Sequence, residues 1–202
     1  MKITIISGSH RPNSQSEKVA RYLKARVEKL DSAFEGFILS LAGNPLPLWD
    51  EEFYDRSERW ENLWRPFSDR LAESDSFIFV VPEWGWMVPP AVKNLLLLCR
   101  SELAHKPALI VSVSSGINGV YPISELRMSG YKNTHVCFLP EHLIIRNVEQ
   151  VLNPDHINAE LGEEKLRQRI DHILELLFIY TKAFLQIRNN EKIDLRRYPY
   201  GM

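Results

Sequence analysis

Lys2-Ile3-Thr4-Ile5-Ile6, followed by Ser7-Gly8-Ser9-His10-Arg11-Pro12-Asn13-Ser14-Gln15-Ser16, is the stretch on which the fold turns. A β-branched run empties through small hydroxyl residues into a helical pattern, with Val19, Leu23, Val27 and Leu30 on one face. The spacing predicts a strand over 2–7 and a helix from Asn13 to Leu30, with Pro12 just ahead of its start. A strand that turns directly into a helix N-terminus concentrates free N–H groups and the positive end of the helix dipole, a natural seat for a phosphate. Ser9, Ser14 and Ser16 add hydroxyls, Asn13 an amide and Arg11 a permanent charge. An ordinary N-cap needs one such residue, and this loop supplies five suited to a phosphate.

Outward from that loop the chain alternates. Strands are expected over 34–41, 76–81, 108–113 and 135–139, and helices over 57–72, 91–101, 123–128 and 160–186. Ser76-Phe77-Ile78-Phe79-Val80-Val81 reads as a strand buried on both faces. Pro66 lies within the second helix and predicts a kink or a late start; its Trp60/Trp64 stripe fits core or a subunit interface. Alternation of this kind implies an α/β fold with a five-stranded parallel sheet covered on both faces, and the phosphate-type loop after the first strand makes a flavodoxin-like three-layer sandwich in the order 2-1-3-4-5 the expectation. Residues 1–188 are expected to form a single domain, and 189–202 a polar tail that straps the surface or stays disordered.

Composition narrows the function. The 202 residues are 45% hydrophobic and 25% charged with a net charge of −1, so neither nucleic acid nor membrane insertion is expected. The N-terminus enters a strand directly, which points to a cytoplasmic protein. Cys99 and Cys137 read as buried reduced thiols, and the six histidines show no metal-ligand spacing, so no metal is expected.

In the 2-1-3-4-5 order, the loops after strands one, three and four meet at the switch point. The second of these, Pro82-Glu83-Trp84-Gly85-Trp86-Met87-Val88-Pro89, offers a rigid aromatic surface. The third, Ser114-Ser115-Gly116-Ile117-Asn118-Gly119, lets backbone approach a flat ligand. An anion cradle beside two such loops suits flavin mononucleotide. The absence of Gly-x-Gly-x-x-Gly argues against FAD, that of Gly-Lys-Ser/Thr against a nucleoside triphosphate, and a loop without cysteine against a low-molecular-weight tyrosine phosphatase.

At this point the chain resembles the NAD(P)H-dependent FMN reductases, a family that includes quinone, azo-dye and chromate reductases. Gly8-Ser9-His10-Arg11-Pro12-Asn13-Ser14 matches its Gly-Ser-x-Arg-x-x-Ser loop. Pro82-Glu83, Pro89, Lys93 and Asn94 match its second signature at the same spacing, and Leu46-Pro47-Leu48-Trp49-Asp50-Glu51 is similar to a further segment. Departures are Trp84-Gly85 where Tyr-Asn is usual, and Gly116 and Gly119 apart where a Gly-Gly pair is common.

The resemblance implies an FMN phosphate held by Ser9, Arg11, Ser14 and Ser16, joined by Asn13 and Gln15. By position it implies ring-side contacts from Pro82, Glu83, Trp84, Gly85, Trp86, Ser115, Gly116, Asn118 and Gly119. Trp84 and Trp86 also fit core or dimer packing. Glu83 reads as a carboxylate that orients backbone, and Asn94 as an amide that secures a loop. Arg127 is read as a surface cation, with a nicotinamide-phosphate contact as the alternative.

The implied activity is ping-pong hydride transfer from NADH or NADPH through FMN to a flavin, quinone or similar small acceptor. No side-chain catalytic residue is required, and backbone N–H groups of 115–119 are the candidates to stabilise charge on the ring. The resemblance also implies a homodimer or homotetramer, with the Trp60/Trp64 helix and Leu48-Trp49 as candidate contacts. The competing readings are a flavin-binding electron carrier or redox sensor without catalysis, and a binder of another phosphorylated metabolite.

Overall fold

The computed structural model describes residues 1–198. Strands β1 (Lys2–Ser7), β2 (Glu35–Ser40), β3 (Ser76–Pro82), β4 (Pro107–Val113) and β5 (Cys137–Ile145) form one parallel sheet in the order β2-β1-β3-β4-β5, as expected. Helices α1 (Gln15–Leu30), α2 (Glu58–Glu73), α3 (Pro90–Leu98), α4 (Tyr121–Met128) and α5 (Glu163–Arg188) alternate with the strands and cover both faces.

Period-two alternation sorts the strand side chains between two cores. Ile78 and Val80 of β3 face α1 and α5, where they meet Val19, Leu23, Val27, Ile170 and Leu174. Phe77, Phe79 and Val81 face the other way, against Trp60, Trp64 and Leu71 of α2 and Val92 and Leu95 of α3. β3 is buried along its whole length because both faces are covered. Trp60 and Trp64 are therefore core residues, not the subunit contact offered as an alternative; Trp60 also donates its indole N–H to Asp50 Oδ1 (2.6 Å). Of the other candidate contact, Leu48 is exposed.

Several ends differ from the sequence reading: α3 stops at Leu98 rather than 101, α5 starts at Glu163 rather than 160, and three further differences concern α1, α2 and β5. The first helix starts at Gln15, not Asn13: Asn13 has φ +50, outside the helical region, and Ser14 is the N-cap. α2 runs unbroken through Pro66, which faces solvent. The fifth strand is Cys137–Ile145 and not 135–139. The register between β4 and β5 slips between Ala108 and Ile110, whose partners are Phe138 and His142. Pro140 falls in that bulge, on an edge strand where a missing N–H is tolerated. The bulge carries the strand past the proline, so Leu143, Ile144 and Ile145 complete the pairing.

Beyond α5, residues 190–198 form turns rather than regular structure. The remainder of the expected tail, 199–202, lies outside the described residues.

Candidate functional site

The carboxyl ends of β1, β3 and β4 open into a cleft of about 260 Å³. Ser9, Arg11, Asn13, Ser14, Gln15 and Ser16 line one side; Pro82, Glu83, Trp84 and Ser115 line the other. These ten come from three separate loops, as the switch-point argument requires. Gly85, Trp86, Gly116, Asn118 and Gly119, expected among them, do not line the cleft.

The phosphate-type loop is built by close packing. The Gly8 N–H donates to Val80 O (2.8 Å), and a Cβ at Gly8 would lie 2.6 Å from Val92 Cγ2 and 2.9 Å from that same carbonyl. Only glycine lets the chain leave β1 so close to β3 and α3. Ser9 is buried, and its Oγ accepts the Arg11 N–H (3.2 Å). Ser14 Oγ accepts the Glu17 N–H (3.1 Å), leaving the amides of Gln15 and Ser16 in the first helical turn with no intrahelical acceptor. The exposed Arg11 guanidinium makes no ion pair among the described residues. Gln15 Oε1 is buried without a donor, an orphaned acceptor in the wall of the cleft.

On the opposite side, Trp84 and Met87 exchange backbone hydrogen bonds (2.9 and 3.2 Å) around Gly85 and Trp86. Both central residues have positive φ (+55 and +63), the requirement of a type I′ turn. Such a turn throws Trp86 outward. Its ring is exposed and lies parallel to that of Tyr121, with centroids 5.1 Å apart and planes at 7°. Trp84 stays at the cleft, edge-on to His10 at 4.7 Å.

Glu83 orients backbone: its two carboxylate oxygens accept the N–H groups of Gly119 (2.9 Å) and Tyr121 (3.2 Å). The Gly119 amide is thereby committed away from the cleft, and that of Gly116 donates to Ser114 Oγ (3.3 Å). Of the 115–119 loop only Ser115 reaches the cleft. Asn94 bridges the 47–49 segment, donating to Pro47 O and accepting from Trp49 N–H, both at 2.8 Å. Arg127, read as a surface cation, is half-buried on α4, and its guanidinium donates to the Leu139 and Pro140 carbonyls.

Val113, Val148 and Glu149 also line the cleft and were missed from sequence. The last two occupy a short 3-10 turn, Val148–Gln150, directly after β5. The apolar Leu143-Ile144-Ile145 run was the available signal that β5 extends far enough to deliver them. Lys18, on α1, holds that turn through hydrogen bonds to Val148 O (2.5 Å), Val151 O (2.9 Å) and Asn153 Oδ1 (2.9 Å). Burial lowers the pKa of its ammonium, and the nearby Glu163 and Glu149 carboxylates oppose the shift.

Residues 1–150 match the family model described as NADPH-dependent FMN reductase. The chain belongs to that family. A quinone reductase of Pseudomonas putida is 32% identical over 122 residues, covering 58% of this chain and 62% of that protein. The NAD(P)H-dependent FMN reductase LOT6 of Saccharomyces cerevisiae is 28% identical over 123 residues, covering 55% and 64%. The chain thus matches less than two thirds of the length of these two relatives. An NADPH:quinone oxidoreductase of Arabidopsis thaliana is 26% identical over 191 residues, with 90% and 92% covered. Among solved structures, the FerB flavoenzyme of Paracoccus denitrificans superimposes with a TM-score of 0.71 at 18% identity, covering 91% of this chain and 98% of that one, a likeness of fold. The match of the FMN reductase model ends just past Glu149, so the family segment includes every residue that lines the cleft.

Proposed function

We propose that the protein is an FMN-dependent NAD(P)H oxidoreductase that passes two electrons to a quinone, flavin or similar small acceptor. One observation carries this reading: the free first-turn amides of α1, the unpaired Arg11 and the orphaned Gln15 Oε1 converge on one cleft with Trp84 and Ser115. These donors suit a phosphate monoester, and the orphaned acceptor suits a hydroxyl of the polyol chain that FMN carries behind its phosphate. When bound, FMN supplies hydride acceptance and donation, which lets nucleotide and acceptor take turns at one ring in a ping-pong cycle.

The residues have separate tasks in this reading. Arg11, Asn13, Ser14, Gln15 and Ser16 hold the phosphate, and Ser9 shapes the loop that presents them. Glu149 offers its carboxylate to polyol hydroxyls. Pro82 and Trp84 keep water from one side of the ring. Glu83 fixes the loop on the other side, and the Ser115 backbone N–H is the candidate there to meet negative charge on the ring. The cavity of about 260 Å³ lies just below the usual ~300–1,000 Å³ of ligand pockets, so a flavin held there would leave part of its ring outside the pocket. Gly85, Gly116, Asn118 and Gly119 then act through loop shape.

The same reading has a cytoplasmic homodimer or homotetramer. The described free thiols accord with a reducing compartment, and among the described residues no helix is long and apolar enough to cross a membrane. Exposed Trp86, Met87, Ile117, Val120 and Tyr121 on the loops bordering the cleft supply an apolar face for a second copy.

The stacked Trp86–Tyr121 pair at the rim favours one rival, a flavin carrier whose ring is screened from nicotinamide. Anaerobic mixing of FMN-loaded protein with NADH or NADPH separates the two. Bleaching of the flavin absorbance within seconds is the result expected of the reductase; persistent yellow colour would establish the carrier. For the phosphate seat, Arg11→Ala combined with Ser14→Ala should weaken FMN binding at least tenfold, about 1.4 kcal/mol. Unchanged affinity would refute the placement.

A further inference from the structure

A second cavity, of about 360 Å³, shares no lining residue with the cleft. Its walls come from Phe53 and Tyr54 in the connection between β2 and α2, the end of α3 and the residues after it, the segment before β5, and the turns after α5. Tyr54 and Leu97 are apolar, well exposed, and not used by either core. Arg100 lines the cavity with them. Its guanidinium lies 5.2 Å from the Phe53 ring centroid and 5.1 Å from that of Tyr54.

That guanidinium has no carboxylate partner among the described residues. Glu102, two positions on, is committed elsewhere: one oxygen accepts the Arg100 backbone N–H (2.6 Å) and the other the Ser68 hydroxyl (2.8 Å). Arg196, the second cation of the wall, is paired with Asp194 (2.9 Å). A guanidinium that stacks on rings keeps the N–H groups of its edge free, and those form a fork matched to a carboxylate. The volume falls within the range of small-molecule pockets, ~300–1,000 Å³, and suits one or two fused rings.

We propose that this cavity is a second binding site, separate from the flavin cleft, for a planar aromatic carboxylate. The carboxylate meets the Arg100 edge, and the ring packs against Tyr54 and Leu97. A cationic ligand would be repelled by Arg100 and Arg196. A neutral aromatic ligand would cover the guanidinium without supplying it an acceptor, a loss comparable to any desolvated and unpaired donor.

The probe is 2-naphthoate, titrated calorimetrically into the full-length protein with and without saturating FMN. One-site binding with the same affinity in both conditions is expected. Arg100→Met should weaken it at least tenfold, and 2-naphthalenemethanol, the neutral analogue, should bind wild type at least tenfold more weakly than the acid. Leu97→Glu, a surface change that sets a carboxylate against the anion, should lower affinity as strongly with an unchanged melting temperature, which separates loss of the site from loss of the fold. Absence of saturable binding, displacement of the probe by FMN, or undiminished binding to both variants would overturn the proposal.

Discussion

Gly119 has φ +110, and a Cβ added there would lie 2.5 Å from Ile144 Cγ2. Backbone conformation and packing therefore demand glycine for independent reasons. Gly119→Ala is expected to cost roughly 2–3 kcal/mol of stability, from overpacking together with an unfavourable φ, and urea unfolding would measure it. Glu163 is a different kind of commitment, a carboxylate with no solvent exposure. It accepts the N–H groups of Leu152 (2.9 Å) and Asn158 (2.7 Å) and pairs with Arg167 (2.5 Å). Burial pushes its pKa up, but those donors and the Arg167 charge outweigh burial and hold it below the ordinary value near 4.5. A depressed carboxylate stabilises the fold fully above the unfolded value and ceases to as pH falls through the folded one. Glu163→Gln is accordingly expected to lose roughly 3 kcal/mol at pH 7, with the gap to wild type narrowing below about pH 4; denaturant titrations at the two pH values test this.

At the scale of the element, the carboxyl end of α2 is closed from outside the helix. Lys106, immediately before β4, is buried and donates to the carbonyls of Leu71 (3.0 Å) and Ala72 (2.8 Å), a cation placed at the negative end of a helix dipole. Burial, aided by the Arg188 charge and opposed by Asp75 and Glu102, lowers its pKa to about 8. Here the sign differs from that of Glu163. Between about pH 8 and the unfolded value near 10.5 the unfolded chain holds more protons, so this group makes the fold more stable as pH rises. Lys106→Met lacks that gain, and the stability of wild type relative to the variant should grow by on the order of 2 kcal/mol between pH 8 and 10. Thermal unfolding across that range checks it; a constant difference would show that Lys106 titrates normally.

For the molecule as a whole, a ligand that binds only the folded chain must stabilise it. With FMN at a hundredfold excess over its dissociation constant the gain is about 2.7 kcal/mol, which for a chain of this size is roughly 5–10 °C in Tm. At the same FMN concentration the shift should shrink in the Arg11→Ala, Ser14→Ala variant with the logarithm of the affinity lost, roughly halving for a tenfold loss. Assembly has its own test. If the exposed loops around Trp86 and Tyr121 seat a second copy, Trp86→Glu should shift the protein to monomer in light scattering while FMN still binds, because Trp86 does not line the cleft.

Much of this was readable in the linear chain, for reasons of range. The β1 loop and the start of α1 are contiguous, so hydrophobic period, proline, serines and arginine sit within one short window that local rules interpret. Sheet order followed from alternation together with a phosphate-suited loop directly after the first strand. The end of β5 was obscured, because Pro140 and Glu141-His142 interrupt the strand pattern ahead of the apolar Leu143-Ile144-Ile145 run, and pairing with β4 across a bulge joins the two. That one boundary hid Val148 and Glu149. The direction of the Trp86 ring was equally hidden, since it depends on two successive positive φ angles.

By itself, then, the sequence determined the fold class, the turn from β1 into α1 and the family, each carried by neighbours along the chain. Which loop residues reach the cleft was decided only in three dimensions. Glu83 holds Gly119 and Tyr121 from a distant position, and Lys18 holds the turn after β5, so the cleft is shaped by hydrogen bonds between segments far apart in sequence. The Arg100 cavity is likewise tertiary: a guanidinium becomes a site when folding brings rings to it and gives the nearby carboxylate other partners.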